Sequence, residues 1–286
     1  TDAHLPAFET FSEQLSLIGA TDPSEAARKG VAERMKPHGQ VRTFAGLEEA
    51  LVQLKGEIDA ALVVTPHFLH FPQAKACLEA GIAVLVEKPV CNNLTELRTL
   101  RKLSEGHDKW VVAGQNRRFD PGIQWLHRWR KENPEQFGEL RSFDVHGWQN
   151  IFAWMATKPD VNADFWILDK ERAGGGVVVS LLVHYLDAIR YLSGQDFVEV
   201  SARARFDPPF KNGAESACSA LLKMSGGACG TLHGNYLAPK VPSPNEAVHL
   251  FGEHGYIGNP SGWQYASTQG EDADGWNFQF SGIKSV

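Results

Sequence analysis

Cysteine is scarce in this chain. It has four, Cys77, Cys91, Cys218 and Cys229, scattered over 286 residues with no C-x-x-C spacing. That argues against a disulfide framework and against a cysteine zinc site, and is the usage expected of a reduced, cytoplasmic protein. Positive charge is also short: 28 Lys and Arg face 34 Asp and Glu, a net charge of -6, and no basic run offsets it. Nucleic acid is therefore not expected as a partner. No uninterrupted apolar run approaches the roughly 18 residues of a membrane span, so none is expected. Internal repeats, low-complexity tracts, a G-x-S-x-G elbow and a P-loop are missing too, which removes the simplest hydrolase and NTPase readings. What remains, 43% hydrophobic and 22% charged, is the composition of a globular protein long enough for two domains.

From Leu15 to Asn116, short apolar runs alternate with helical patterns. "LSLIGAT" (15–21), "VRTF" (41–44), "IDAALVVT" (58–65), "AVLVE" (83–87) and "WVVAGQ" (110–115) read as strands. Helices are expected from Ser24 to Met35, over "GLEEALVQL", over "FPQAKACLEAG" closed by Gly81, and over "LTELRTLRKLSEG" closed by Gly106. Apolar strands alternating with helices predict a doubly wound parallel sheet. After "RRFDP" the pattern changes to a helix over 123–131, a long helix over 177–192, and strand-like stretches joined by Gly-rich turns. Those predict a large, open, mostly antiparallel sheet. The fold class is α/β with two domains, 1–117 and 118–286.

Ligands of open parallel sheets bind beyond the carboxyl ends of the strands. Three clusters fall there: Thr65-Pro66-His67, Glu87-Lys88-Pro89 and Gln115-Asn116-Arg117. A fully apolar strand ending in Glu87-Lys88-Pro89 delivers its charges where a ligand would sit, although the same pair could mark only the point where the chain reaches solvent. Asp22 ends another strand and suits a ribose 2′-hydroxyl. It would repel a 2′-phosphate, favouring NAD over NADP, and it could equally cap the following helix. His67 and His70 lie i, i+3 apart with no third ligand at suitable spacing, so no metal is expected.

The second constellation is "AGGGVVVSLLVHYLDAIRYLSG", residues 173–194. Ser180, His184, Asp187 and Tyr191 fall at i, i+4, i+7 and i+11, a polar stripe on an otherwise apolar helix. The stripe would line a cleft, unless His184 is a core histidine satisfied by one hydrogen bond. The tryptophans, Trp125, Trp129, Trp148, Trp154 and Trp166 among them, are expected mainly in the core.

"ALVVTPHFLHFPQAKACLEAGIAVLVEKPVCNN", "NRRFDP" and "GGGVVVSLLVHYLDAIRYLSG", in this order, closely resemble the glucose–fructose oxidoreductase/inositol dehydrogenase/rhizopine-catabolism (Gfo/Idh/MocA) family over nearly the whole chain. The resemblance implies an N-terminal Rossmann domain and a C-terminal α/β domain on a large, open, mostly antiparallel sheet. It implies hydride transfer between NAD, less readily NADP, and a sugar, cyclitol or related polyhydroxy compound. Lys88 and His184 match the family's catalytic Lys and His. Ser180, standing where the family has an Asp, is expected with them in the catalytic set; it does not exclude catalysis but puts a Lys-Asp-His scheme in doubt. Asp22, Thr65, Pro66, His67, His70, Glu87 and Asn116 are the expected cofactor contacts, and Arg118 and Trp166 the expected substrate contacts. Relatives often have a cis Lys-Pro bond and pair through the open sheet face, so a homodimer or homotetramer is expected. The family begins with a strand and a G-x-G-x-x-G loop, which this sequence lacks; it opens at once on "TDAHLPAFETF" as a helix. A fragment that binds dinucleotide poorly is the expectation. The alternatives are a glycosidase that uses NAD for transient oxidation and elimination, and a non-catalytic NAD-binding regulator.

Overall fold

The structure, a computed structural model, describes residues 4–157, 165–239, 245–259, 262–268 and 276–280. The chain divides into two units, Thr1–Thr65 with Leu69–Gly114, and Pro66–Phe68 with Gln115–Ser285.

In the first unit, β1 (Gly19–Thr21) pairs in parallel with β2 (Arg42–Phe44), and β3 (Ala60–Val63), β4 (Ala83–Glu87) and β5 (Val111–Gly114) form a separate parallel sheet in the order β3-β4-β5. Between them run α1 (Leu5–Thr10), α2 (Glu25–Met35), α3 (Leu47–Gln53), α4 (His67–Glu79) and α5 (Leu94–His107). The helix starts are chemically specified: Ser24 Oγ accepts from Ala27 N–H and Asn93 Oδ1 from Glu96 N–H, each satisfying a first-turn donor. Gly81, at φ +75°, takes the left-handed conformation that ends α4. Gly106 does not do the same for α5, which runs on to His107 and is closed by Asp108 at φ 50°.

Burial in these sheets follows pairing. β4, bonded on both sides, buries Ala83, Val84 and Val86. β3 has a neighbour only on the β4 side and buries only Val63. β1 is likewise bonded only to β2, and it spans three residues of the seven expected. The apolar runs were correct, but an apolar run is drawn into a strand only as far as a partner strand extends. Val63, Val84, Val86, Leu78, Leu100 and Cys77 form the main core here. Burial pushes the Cys77 thiol up to about 11, making it an inert packing group.

The second unit is built on an eight-stranded sheet in the order β13-β12-β11-β10-β6-β9-β8-β7. These are β6 (Leu140–Trp148), β7 (Phe197–Arg205), β8 (Ala217–Met224), β9 (Cys229–Asn235), β10 (Glu246–Gly252), β11 (Gly255–Gly258), β12 (Trp263–Ser267) and β13 (Trp276–Phe280). All neighbours are antiparallel except β6 and β9, which are parallel. The helical elements are α6 (Pro121–Glu132), α7 (Pro134–Phe137), α8 (Ile151–Met155), α9 (Lys170–Ala173) and α10 (Val183–Ser193). Phe143, Val145, Leu232, Leu222 and Leu250 from the sheet pack with Ile123, Leu126, Leu182, Ile189 and Leu192 in one core. On the other face Ser142, Asp144, Ser219, Leu221, Thr231 and His233 are exposed. The simple alternation expected along β6 fails at its start, because the ladder with β10 skips Arg141 between Leu140 and Ser142. One extra residue there turns Leu140 and Phe143 to the same side, as a bulge does.

Two sheet glycines fix how closely the long helix lies. A Cβ at Gly234 would sit 2.6 Å from Leu182 Cδ1, and one at Gly147 would sit 3.1 Å from Leu182 and Tyr185. Between α9 and α10 the chain makes a π-helical turn over Val178–Leu182, so that 170–193 is near-continuous helix. That stretch, Lys170–Ser193, is long and apolar enough to cross a membrane by length and composition, with mean hydropathy 1.3. The sequence reading found no such run. In the structure 61% of its most apolar window is buried within the protein, which is how a core helix meets the same criterion.

Candidate active site

At the strand ends of the first unit, Asp22 follows β1 and accepts from Ser24 N–H through Oδ1 at 2.8 Å. Its Oδ2 has no partner among the described residues, so capping α2 and receiving a ribose hydroxyl are compatible uses of one carboxylate. Thr65, after β3, spends its hydroxyl on Gln73 Oε1 at 2.8 Å.

Glu87, the last residue of β4, does not project outward as an isolated charge. Its Oε1 lies 2.9 Å from His4 Nε2 and its Oε2 accepts from the Lys88 backbone N–H at 3.1 Å. A side chain at β5 Gly114 would stand 3.4 Å from the Glu87 carboxyl carbon and 3.2 Å from its Cα, so glycine there makes room for the carboxylate. Desolvation raises its proton affinity, but His4 and Lys88 outweigh that and hold its carboxyl below the usual carboxylate range. Lys88-Pro89 is a cis bond. His70 is fully buried, with Nδ1 2.7 Å from the Pro89 carbonyl and Nε2 2.7 Å from the Thr65 carbonyl. Three residues read from sequence as cofactor contacts, Thr65, Glu87 and His70, thus each have polar side-chain atoms bonded within the protein.

In the second unit one of the three glycines, Gly176, is required by the connection between β7 and β8. A Cβ on Gly176 would lie 1.9 Å from the Glu215 carbonyl oxygen. That same carbonyl accepts from Val177 N–H at 3.0 Å, and the Glu215 carboxylate accepts from Val178 N–H at 2.9 Å. Glu215, which the sequence reading missed, therefore satisfies the first donors of the long helix, and an acid in that place also suits the helix dipole. Gly174 takes φ +86° to end α9. His67, expected at the cofactor, instead directs Nδ1 to the Ala173 carbonyl at 2.8 Å and stacks edge-on against Trp166, ring centroids 4.4 Å apart. Trp166, read as a substrate contact, is half-buried in a run with Phe165 and Trp154. Pro66 groups with this unit and is also half-buried.

The polar stripe is only partly a cleft lining. The π turn inserts a wider loop between Ser180 and His184, so the even spacing expected of an α-helix is broken at the residues that matter. Ser180 is buried, as is Tyr236, whose proton affinity burial pushes up. His184 is half-buried with Nδ1 turned inside. Asp187 is held by Arg118 in a two-pronged pair, Nε to Oδ2 at 2.7 Å and a terminal nitrogen to Oδ1 at 2.6 Å, with the guanidinium 5.3 Å above the Tyr191 ring. Tyr191 also stacks on His127 at 4.1 Å. Arg118, expected to contact substrate, is committed to this network. At the end of β5, Asn116 is exposed, while Gln115 buries an Oε1 that has no partner among the described residues. A buried orphan acceptor is costly unless something donates to it, so Gln115 is a better ligand contact than Asn116. No grouping of three metal-ligating side chains occurs among the described residues.

A parallel α/β unit with an acid at one strand end and Glu-Lys-Pro at another, followed by a glycine-led helix on a large mixed sheet, defines the class: a Rossmann-type dinucleotide-binding domain joined to an α/β domain. Residues 1–115 match the oxidoreductase family with an NAD-binding Rossmann fold, and residues 133–258 match the GFO/IDH/MocA C-terminal domain. The chain belongs to the Gfo/Idh/MocA family. The Bordetella pertussis WlbA dehydrogenase, solved with NADH and UDP-GlcNAcA, superposes with a TM-score of 0.79 at 21% identity over 97% of this chain and 73% of that one. A levoglucosan dehydrogenase, solved with NADH and levoglucosan, gives 0.79 at 20% identity over 96% and 75%. In sequence, a putative UDP-kanosamine synthase oxidoreductase subunit of Amycolatopsis mediterranei is 33% identical over 138 residues, 48% of this chain and 35% of that protein. Inositol 2-dehydrogenase of Rhizobium meliloti is 26% identical over 66% of this chain and 50% of its own length. The matched stretch thus spans about a third to a half of these two relatives.

Proposed function

We propose that the protein transfers a hydride between NAD and a hydroxyl-bearing carbon of a sugar or cyclitol. The observation that carries this reading is the Lys88-Pro89 turn at the end of β4, a cis bond whose Lys88 N–H is accepted by Glu87 and whose Pro89 carbonyl lies 2.7 Å from His70. The free Asp22 oxygen and the orphaned Gln115 acceptor are groups that suit a ribose hydroxyl and an amide donor, so the residues present fit a nicotinamide dinucleotide. When bound, NAD supplies the ring that exchanges the hydride. The Lys88 ammonium donates a hydrogen bond to the reacting oxygen and stabilises charge as it develops there. His184 takes the hydroxyl proton in the oxidative direction. Ser180, a neutral and buried hydroxyl, cannot share the base role that an Asp would have. Proton transfer rests on His184, with Lys88 as the electrostatic partner.

Relatives that carry UDP-GlcNAcA, levoglucosan or inositol in their names support a polyhydroxy substrate, and the Asp22 carboxylate supports NAD over NADP. The exposed face of the eight-stranded sheet supports a homodimer or homotetramer, which light scattering of the full-length protein checks. The decisive experiment is a screen of the full-length protein against sugars and cyclitols, following NADH absorbance. Lys88→Met and His184→Ala are each expected to lower kcat about 10²- to 10⁴-fold while leaving NADH binding within a few fold. Wild-type protein that binds NADH but turns over no polyol would defeat the proposal.

A further inference from the structure

The clusters beyond the first unit's strands contain residues whose side chains are already spoken for. His70 is buried without exposure, yet it is a polar residue on an apolar helix, α4, whose neighbours Ala74, Cys77 and Leu78 are core. Packing alone would accept leucine at that position. The ring instead spans two strand ends, Thr65 after β3 and Pro89 after β4, at 2.7 Å to each carbonyl. Carbonyls beyond a parallel strand's last ladder bond have no strand partner, and left buried they cost free energy. A neutral imidazole donates through one nitrogen and an imidazolium through both, so the ring can serve one carbonyl or the two together. Across the same turn, Glu87 Oε2 receives the Lys88 N–H, and its other oxygen is anchored by His4. The Lys88 N–H that opens the turn is thus accepted by Glu87, and the Pro89 carbonyl that closes it lies 2.7 Å from His70 Nδ1.

We propose that His70 and Glu87 are positioning residues that hold the Lys88-Pro89 backbone, and through it the Lys88 ammonium, and that neither contacts the dinucleotide. The proposal rests on the reading of Lys88 as a group that acts on the reacting oxygen. It follows from hydrogen-bond capacity. Each carboxylate oxygen of Glu87 and each ring nitrogen of His70 already has a protein partner within 3.1 Å. The His70 ring is fully buried, so a ligand could reach it only by displacing those contacts, and a ligand at Glu87 would have to share oxygens that already accept from His4 and Lys88. The consequence is a separation of two effects that a cofactor contact would not give: loss of the clamp misplaces Lys88 for the chemical step without loosening the dinucleotide.

The test uses full-length protein and the variants His70→Leu, His70→Gln and Glu87→Ala. NADH affinity is read by fluorescence titration, and kcat and KM are measured on whichever of myo-inositol, glucose and levoglucosan turns over fastest. His70→Leu and Glu87→Ala are expected to lower kcat by about 10- to 100-fold, the scale of an ångström-level misplacement, with the NADH Kd within twofold. His70→Gln, which keeps an N–H for one carbonyl, should recover part of the loss. If His70→Leu does not fold, His70→Gln and Glu87→Ala decide by the same split. A rise in NADH Kd with unchanged kcat would make these residues cofactor contacts and overturn the proposal, as would wild-type kinetics. Should wild type turn over none of these polyols, the oxidoreductase reading is what fails. The clamp is then judged by the rate at which acetic anhydride acylates Lys88, followed by mass spectrometry. A severalfold change in His70→Leu confined to Lys88 supports it, and equal rates in wild type and variant overturn it.

Discussion

Removing the Arg118 side chain should destabilise the protein and not simply weaken substrate binding. Asp187 is 9% exposed and its two carboxylate oxygens are both engaged by Arg118, at 2.6 and 2.7 Å. Arg118→Ala would leave that carboxylate buried without its donors. Breaking a fully buried pair from one side costs about 3–5 kcal/mol. The Arg118 side chain is 40% exposed, so water screens part of the interaction and can reach the vacated space. That lowers the expectation to about 2–3 kcal/mol, nearer the cost of one buried group losing charged hydrogen bonds. For a unit of this size the loss corresponds to a fall of about 5–10 °C in Tm. The assay is a double-mutant cycle in urea, with Arg118→Ala, Asp187→Ala and the double variant, monitored by circular dichroism. A coupling of about 1.5–3 kcal/mol is expected, with the double variant less destabilised than the sum of the singles. Arg118→Lys should fail to restore stability, since an ammonium cannot replace a two-pronged guanidinium. A wild-type melting curve for Arg118→Ala together with a raised KM for the polyol would refute the reasoning and return Arg118 to the substrate.

Gly176→Ala should prevent or severely destabilise folding of the second unit, because the new Cβ would lie 1.9 Å from a strand-connection carbonyl that cannot move without releasing the helix start; soluble variant with unchanged Tm would show the approach to be looser than this. Asp22→Ala should raise kcat/KM for NADP relative to NAD about tenfold or more, since the carboxylate that repels a 2′-phosphate is gone; a wild-type protein that already uses both equally would contradict it. Stability should also depend on acid through Glu87. Its folded-state proton affinity is depressed, so its contribution is full above its ordinary value of 4.5 and is lost as pH falls through the lower folded value. Glu87→Gln should flatten that part of the acid limb in urea titrations, and an unchanged limb would exclude Glu87 as its source.

The sequence by itself determined the order of elements and the residues available for chemistry. Four-residue apolar runs alternating with capped helices permit little but a parallel α/β unit, because strands buried on both faces need cover on both sides. Glu-Lys-Pro, the triple glycine and the His184 helix are local patterns, so they were legible without contacts. What each polar side chain is spent on was not. His70 and Thr65 sit five residues apart, but His70 meets Pro89 nineteen residues away; Gly176 is required by Glu215, and Arg118 is consumed by Asp187, 69 positions along. Such pairings depend on which elements the fold brings side by side, and a linear pattern carries no record of them. The same holds for β1 and Arg141, where strand length and side-chain direction were set by the neighbouring strand. The helix at Ser180 is the sharpest case. Its residues have ordinary helical spacing in sequence, and the π turn over Val178–Leu182, where Leu182 packs on the glycines of β6 and β9, shows only in the structure. Residue type and order therefore fixed what this protein could do, while the tertiary contacts decided which of its polar groups are left to do it.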